Sequence, residues 1–180
     1  MIRYIAFLKA INVGGHNVKM DQLRLLFESI SFKNVETFIA SGNVIFETNS
    51  SGISDMQLKI ERQLHNALGY EVSTFLRTDR QIAEIADYQP FSEDKMKKAV
   101  AFNVGFLKEP LSMEQTTRVK ALETDIDEFH INGSELYWIC KTRQSESAID
   151  AKKLERAIAM PITLRTIKTI IRLAVKYSAE

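Results

Sequence analysis

"LRTDRQI", residues 76–82, is answered at 164–170 by "LRTIKTI". Leu, Arg, Thr and Ile recur in register, and Arg80 is matched by Lys168. Seven residues can agree by chance, so the echo carries weight only through what surrounds it. Upstream of the first copy, "RYIAFLK" is aromatic and β-branched, and "INVGGHN" breaks it with two glycines. From Asp21, apolar residues at Leu23, Leu26, Phe27 and Ile30 fall on one face of a helix. "VETFIA" and "NVIFET" flank Ser41-Gly42 as strand, turn and strand. Met56, Ile60, Leu64 and Leu68 then stripe a second helix, which Gly69 stops. "EVSTFLR" closes a β-α-β-β-α-β series.

The second half reads the same way. "AVAFNVGFL" is a strand with Val100, Phe102, Val104 and Phe106 on one face, and residues 112 to 122 suit a helix. "IDEFHI" and "ELYWICK" surround Asn132-Gly133, a hairpin signal. Residues 147 to 159 carry Leu154 and Ile158 on a helix, and "ITLRT" is a short strand. Both LRT copies therefore end the last strand of a half, with Thr78 and Thr166 placed to cap the helix that follows. "IAF" at 5 to 7 against "VAF" at 100 to 102 adds a weaker echo. The expectation is an α+β chain, a tandem duplication of two ferredoxin-like subdomains. The first, with a linking helix, spans 1–88; the second, with a C-terminal helix, spans 89–180. The competing reading is one mixed sheet with coincidental repetition.

Composition bounds the function. The chain has 180 residues, 45% apolar and 26% charged, which suits a globular protein with a sizeable core. A net charge of +1 supplies no long-range field for nucleic acid or an anionic membrane. Cys140 is the single cysteine, so internal disulfides and multi-cysteine zinc sites are excluded. No apolar run approaches the roughly 18 residues of a membrane span. Ile2 to Leu8 reads as a strand and not as a leader, and the cytoplasm is the expected setting.

Topology gathers the candidate site. In a split β-α-β unit the loop after strand one and the turn after strand two leave the sheet at one edge. That edge collects Asn12, Gly14, Gly15, His16, Asn17, Lys19, Ser41, Gly42 and Asn43. Glycines let a ligand approach the backbone, the helix near Asp21 points free N–H groups the same way, and Lys19 can neutralise charge. This chemistry suits a small anionic metabolite or nucleotide. Ordinary turn chemistry explains the same residues without a ligand, and "NVGGHNVK" matches neither a dinucleotide fingerprint nor a P-loop.

These same segments carry a resemblance. "YIAFLKAINVGGHNVKM", "SGNVIFET" and "LRTIKTIIRL" are similar to the domain-of-unknown-function 1697 family along most of the chain. The resemblance implies two related α+β subdomains and names no activity. The family pattern reads L-R-G-I-N-V-G-G where this chain has Lys9 and Ala10 in place of the Arg and Gly. In the closing R-N-W-x-T pattern, Arg165 and Thr169 match, whereas Thr166 and Ile167 depart.

Other chemistry finds little support. Alternation puts Phe129, Ile131, Leu136, Trp138 and Cys140 on one sheet face and His130 on the other with Tyr137 and Glu128, which separates a Cys–His pair. His16, His65 and His130 have no metal-ligand spacing, so no metal is expected and no cofactor is named. Asp125, Asp127 and Glu128 read as solvated acids at a strand edge. An RNA-binding sheet fits poorly, because Tyr4 and Phe7 point to opposite faces. Ala99, Ala101, Asn103 and Gly105 form a small-sided strand face that another layer can approach. It leaves a homo-oligomer open and supplies the alternative function, a non-enzymatic protein-interaction or self-association module.

Overall fold

The computed structural model describes residues 1–12, 14–39 and 42–177. Its first elements are β1 (Ile2–Leu8), α1 (Met20–Ser29), β2 (Lys33–Thr37), β3 (Asn43–Thr48), α2 (Ile53–Leu68) and β4 (Thr74–Thr78). Two helices follow, α3 (Asp79–Asp87) and α4 (Glu93–Lys98). The series then repeats as β5 (Ala101–Phe106), α5 (Met113–Lys120), β6 (Asp127–Asn132), β7 (Glu135–Cys140), α6 (Ala151–Ile158), β8 (Thr163–Thr166) and α7 (Ile167–Tyr177). Contacts divide the chain into two compact units. One is Met1–Ala83 with the residues from Lys176 onward, and the other is Glu84–Val175.

Each unit holds a four-stranded antiparallel sheet, ordered β2-β3-β1-β4 in the first and β6-β7-β5-β8 in the second. In the first, Tyr4, Ala6 and Leu8 of β1 pack with Val44 and Phe46 of β3 against Leu23 and Phe27 of α1 and Met56, Ile60 and Leu64 of α2. The Phe32 and Phe46 rings stack at 4.1 Å in that core. In the second, Phe129, Leu136 and Trp138 meet Val119 of α5 and Leu154 and Ile158 of α6. Period-2 strands and period-3.6 helices each bury one stripe, which is why the sequence pattern was readable.

Strand register aligns the two units residue by residue. Ile5 lies opposite Arg77 and Ile45; Val104 lies opposite Arg165 and Tyr137. The Leu8 N–H donates to the Gly42 carbonyl at 2.8 Å, and three residues past Val104 the Leu107 N–H donates to the Ser134 carbonyl at 2.9 Å. Arg77 and Arg165 thus occupy the same position, consistent with a two-subdomain duplication. The register also corrects the weaker echo: "IAFL" at 5–8 answers "VGFL" at 104–107, not "VAF" at 100–102. Val100 precedes β5 and is 65% exposed, so it does not belong to the Val/Phe face.

Both LRT threonines cap helices. Thr78 Oγ1 accepts from the Gln81 N–H at 3.2 Å, and Gln81 Oε1 accepts from the Thr78 N–H at 2.9 Å, a reciprocal capping box at α3. Thr166 Oγ1 accepts from the Thr169 N–H at 3.3 Å at the start of α7. One turn differs from expectation. Asn132 pairs with Glu135, so the β6–β7 loop residues are Gly133, at φ +58°, and Ser134. A positive φ at the first loop residue alone suits a type II′ turn, in which Gly takes that position.

Two residues of the small-sided strand, Asn103 and Gly105, are covered within their own unit, whereas Ala99 and Ala101 are partly exposed. A Cβ on Gly105 would lie 2.5 Å from Ile162 Cδ1 and 3.1 Å from Leu164 Cδ2. Asn103 Nδ2 donates to Gln144 Oε1 at 2.9 Å. Close packing by Ile162 and Leu164 accounts for glycine at position 105. No helix among the described residues is long and apolar enough to cross a membrane.

Candidate functional site

The loop from β1 to α1 is anchored at both ends and open in the middle. Ile11 and Val18 are buried. Asn12 Oδ1 accepts from the Val18 N–H at 2.7 Å, which pinches the loop closed at its neck. The Tyr70 hydroxyl donates to the Ile11 carbonyl at 2.9 Å, and burial pushes its pKa up, which keeps the donor proton in place. The Tyr70 ring lies 3.8 Å from that of His16, with 22° between the planes.

Between the anchors, Gly14, Gly15, His16 and Asn17 are exposed, as is Lys19. Gly14 and Gly15 have φ of +69° and +87°, and a Cβ on either would meet nothing within 4 Å. Backbone conformation demands these glycines; packing does not. Lys19 is the N-cap residue of α1 and its side chain makes no capping hydrogen bond, so the leading N–H groups of the helix have no side-chain acceptor from it. The one first-turn acid, Asp21, lies 3.9 Å from Arg24, which offsets part of its charge.

The turn side of the rim is structural. Gly42 has φ +71°, and a Cβ there would sit 2.6 Å from Ile11 Cγ2, so both conformation and space require glycine. Asn43 is fully buried, with its Nδ2 donating to the Phe38 carbonyl at 2.9 Å. Ser41 lies outside the described residues. The sequence-predicted rim therefore separates into an exposed arc (Gly14 to Asn17, with Lys19) and a frame (Asn12, Gly42 and Asn43).

Elsewhere the acids near the second hairpin need correction. Asp127 is not solvated; it is 1% exposed and faces the core beside Cys140. It accepts from Trp138 Nε1 at 2.9 Å, from the Thr124 hydroxyl at 2.9 Å and from the Ser147 hydroxyl at 3.0 Å. Extending the alternation of Phe129 and Ile131 back by two residues would have revealed it. Cys140 is buried, with Sγ 3.4 Å from Thr142 Oγ1. His130 occupies the opposite face, its Nε2 2.9 Å from the Tyr88 hydroxyl, and desolvation followed by nearby Lys120 holds its pKa down. No group of three or more His, Cys, Asp or Glu among the described residues is arranged to hold a metal.

A charged cluster went unseen in the sequence because its members are scattered along it. Arg3 reaches Glu47 at 2.9 Å, and Asn34 Nδ2 donates to the other Glu47 oxygen at 2.7 Å. Tyr177 and Lys176 donate to Glu36 at 2.8 and 3.1 Å. They edge a cavity of about 450 Å³ within the first unit. The Tyr177 hydroxyl and then Lys176 hold the Glu36 carboxyl below its usual value; Asn34 and then Arg3 do the same for Glu47. Acids and bases here satisfy one another, which describes a structural network more than a binding site. Arg165 is also buried, donating to Thr163 Oγ1 and the Leu164 carbonyl, both at 2.9 Å. Desolvation pulls its pKa down to about 10, still high enough to keep it charged at neutral pH.

Comparison with known proteins supplies a family and a fold. The model of a family described as "Protein of unknown function (DUF1697)" matches residues 1–137. No curated protein matches the chain. A solved structure of a conserved bacterial protein from Streptococcus pneumoniae is similar with a TM-score of 0.77 at 22% identity, covering 98% of each chain. At that identity the likeness concerns the fold.

Proposed function

The chain belongs to the family described as "Protein of unknown function (DUF1697)", and we propose that it binds a small anionic metabolite or nucleotide at the β1–α1 rim. The binding arc is Gly14, Gly15, His16, Asn17 and Lys19. Asn12, Gly42 and Asn43 serve as its frame, and Ser41, outside the described residues, joins the proposed site on sequence alone. We place this site in the cytoplasm, on the first of two ferredoxin-like subdomains, 1–88 and 89–180, although contacts set the boundary between Ala83 and Glu84 and return the residues from Lys176 onward to the first unit. The strand order β4-β1-β3-β2, with helices on one face, supports that name for the repeat.

One observation carries the binding reading. Two exposed glycines in left-handed backbone precede, across His16, Asn17 and Val18, a ten-residue helix whose N-cap residue is Lys19, a side chain with no acceptor to offer the leading N–H groups. A phosphate or carboxylate there would meet backbone N–H groups, the positive end of the helix and the Lys19 ammonium together. Among the described residues no metal-holding cluster accompanies the arc, and the reading is of binding without an assigned reaction.

The test is a thermal-shift screen of phosphorylated metabolites and nucleotides, with the best hit titrated by calorimetry. A charge-assisted contact contributes about 1.5 to 3 kcal/mol, so Lys19→Ala should weaken affinity about ten- to hundredfold while the melting temperature of the free protein holds. Absence of any hit on the wild type, or equal binding by Lys19→Ala, would reduce the rim to turn chemistry.

A further inference from the structure

We propose that a groove in the second unit docks an acidic amphipathic helix of a partner protein. The groove encloses about 330 Å³ and is lined chiefly by Tyr88, Phe91, Met96, Phe102, Ile167 and Ile171. Its polar lining includes Gln89 and Glu93, and the Glu93 carboxylate lies 3.6 Å from Lys97, which offsets its charge. This surface shares no residue with the β1–α1 rim and does not depend on the reading given there.

Helix α7 forms one wall and makes the case. Its inner face is spent on the core, with Ile170 and Leu173 fully buried. A second apolar stripe runs up its outer side at Ile167, Ile171 and Val175, spaced i, i+4, i+8. Ile171 is 44% exposed and Val175 is 77% exposed. Helix rise makes that stripe about 12 Å long, and Val175 carries it beyond the groove. An apolar surface of that length suits a segment of chain better than a small molecule, and it matches the i, i+4, i+7 anchors of a helix laid in a groove. Met96 adds an adaptable side chain to the lining.

Charge chooses the kind of helix. No acidic residue occurs between Ile167 and Tyr177, and Lys168 stands beside the apolar stripe on the exposed side, one residue past Ile167. A partner presenting apolar anchors with carboxylates beside them therefore complements this wall; a basic one would be repelled. An anionic bilayer supplies similar charge, but much of the apolar surface is recessed at Phe91 and Phe102, where a flat membrane does not reach.

Fluorescence anisotropy tests the proposal with a labelled 18-residue synthetic peptide, leucines at helical i, i+3/i+4 spacing and glutamates alongside, against a scrambled peptide of equal composition. The amphipathic peptide should bind saturably, at least tenfold tighter than the scrambled one, and less tightly as salt rises. Ile171→Glu, Val175→Glu and Lys168→Glu should each weaken it about tenfold or more without a change in circular dichroism. Leu58→Glu, at an exposed site on α2, should leave it unchanged. No saturable binding, equal binding of the scrambled peptide, or indifference to both Ile171→Glu and Val175→Glu would overturn it. So would binding to phosphatidylglycerol vesicles in place of peptide, or a dimer in light scattering that Ile171→Glu dissociates, because the occupant would then be a membrane or a second copy.

Discussion

Ala10→Gly should stabilise the protein, an unusual direction for removing a side chain. Ala10 sits at φ +58°, in the left-handed region, where the resembled family pattern carries glycine. For an L-residue with a Cβ that conformation costs about 1 to 2 kcal/mol. Glycine removes the penalty but gives the unfolded chain more freedom, which returns about 0.4 to 1 kcal/mol. Ala10 is exposed, so little packing is lost. The net expectation is a gain of about 0.5 to 1 kcal/mol, a rise in Tm of roughly 1 to 4 °C for a chain of this size. Urea denaturation followed by circular dichroism measures it, with the midpoint shifting and the slope unchanged. Ala159→Gly, at φ +54° after α6, is a second instance and should move the same way. Gly14→Ala should move oppositely by a similar amount, although its Cβ would enter open space. If Ala10→Gly proves neutral or destabilising while Gly14→Ala is harmless, backbone strain does not govern this loop and the argument for its glycines fails.

Asp127→Ala should cost about 3 kcal/mol in chemical denaturation, because the buried Trp138 N–H and two hydroxyls lose their shared acceptor; a loss under 1 kcal/mol would contradict the buried-hub assignment. Cys140→Ser should cost modestly in stability and leave ligand binding intact, and the native thiol should react with thiol reagents only slowly; rapid labelling of folded protein would refute this. His130 has its pKa depressed by desolvation and then by nearby Lys120, so the unfolded state takes up a proton first. Stability should therefore decline as pH falls below about 6.5 toward the folded-state pKa, and His130→Gln should flatten that part of the profile; an unchanged profile would remove His130 as its source.

Much of the fold was legible because it is written locally. The two LRT segments mark strand ends, and their threonines cap α3 and α7 through partners three residues away. The stripe Met56, Ile60, Leu64 needs only helical geometry to be read, and alternation alone separated Cys140 from His130. The left-handed Gly14 and Gly15 belong to the same class, since a break in patterned chain is itself local.

What remained hidden depends on which distant strands pair, and in what register. A one-residue shift in register reverses the faces presented, and nothing within a strand states its partner. So the true counterpart of "IAFL" emerged only when Ile5 and Val104 were found opposite the two arginines. Alternation places Asp127 on the core face, but two of its donors, Trp138 and Ser147, lie 11 and 20 residues away and are joined to it only by the fold. The Arg3–Glu47 and Glu36–Tyr177 pairs join residues 44 and 141 positions apart. The gathering of the rim was inferred from topology, but the division of its residues into an exposed arc and a buried frame was decided by Ile11 packing over Gly42. Local pattern determined the elements; long-range contact decided which of their side chains remain available to a ligand.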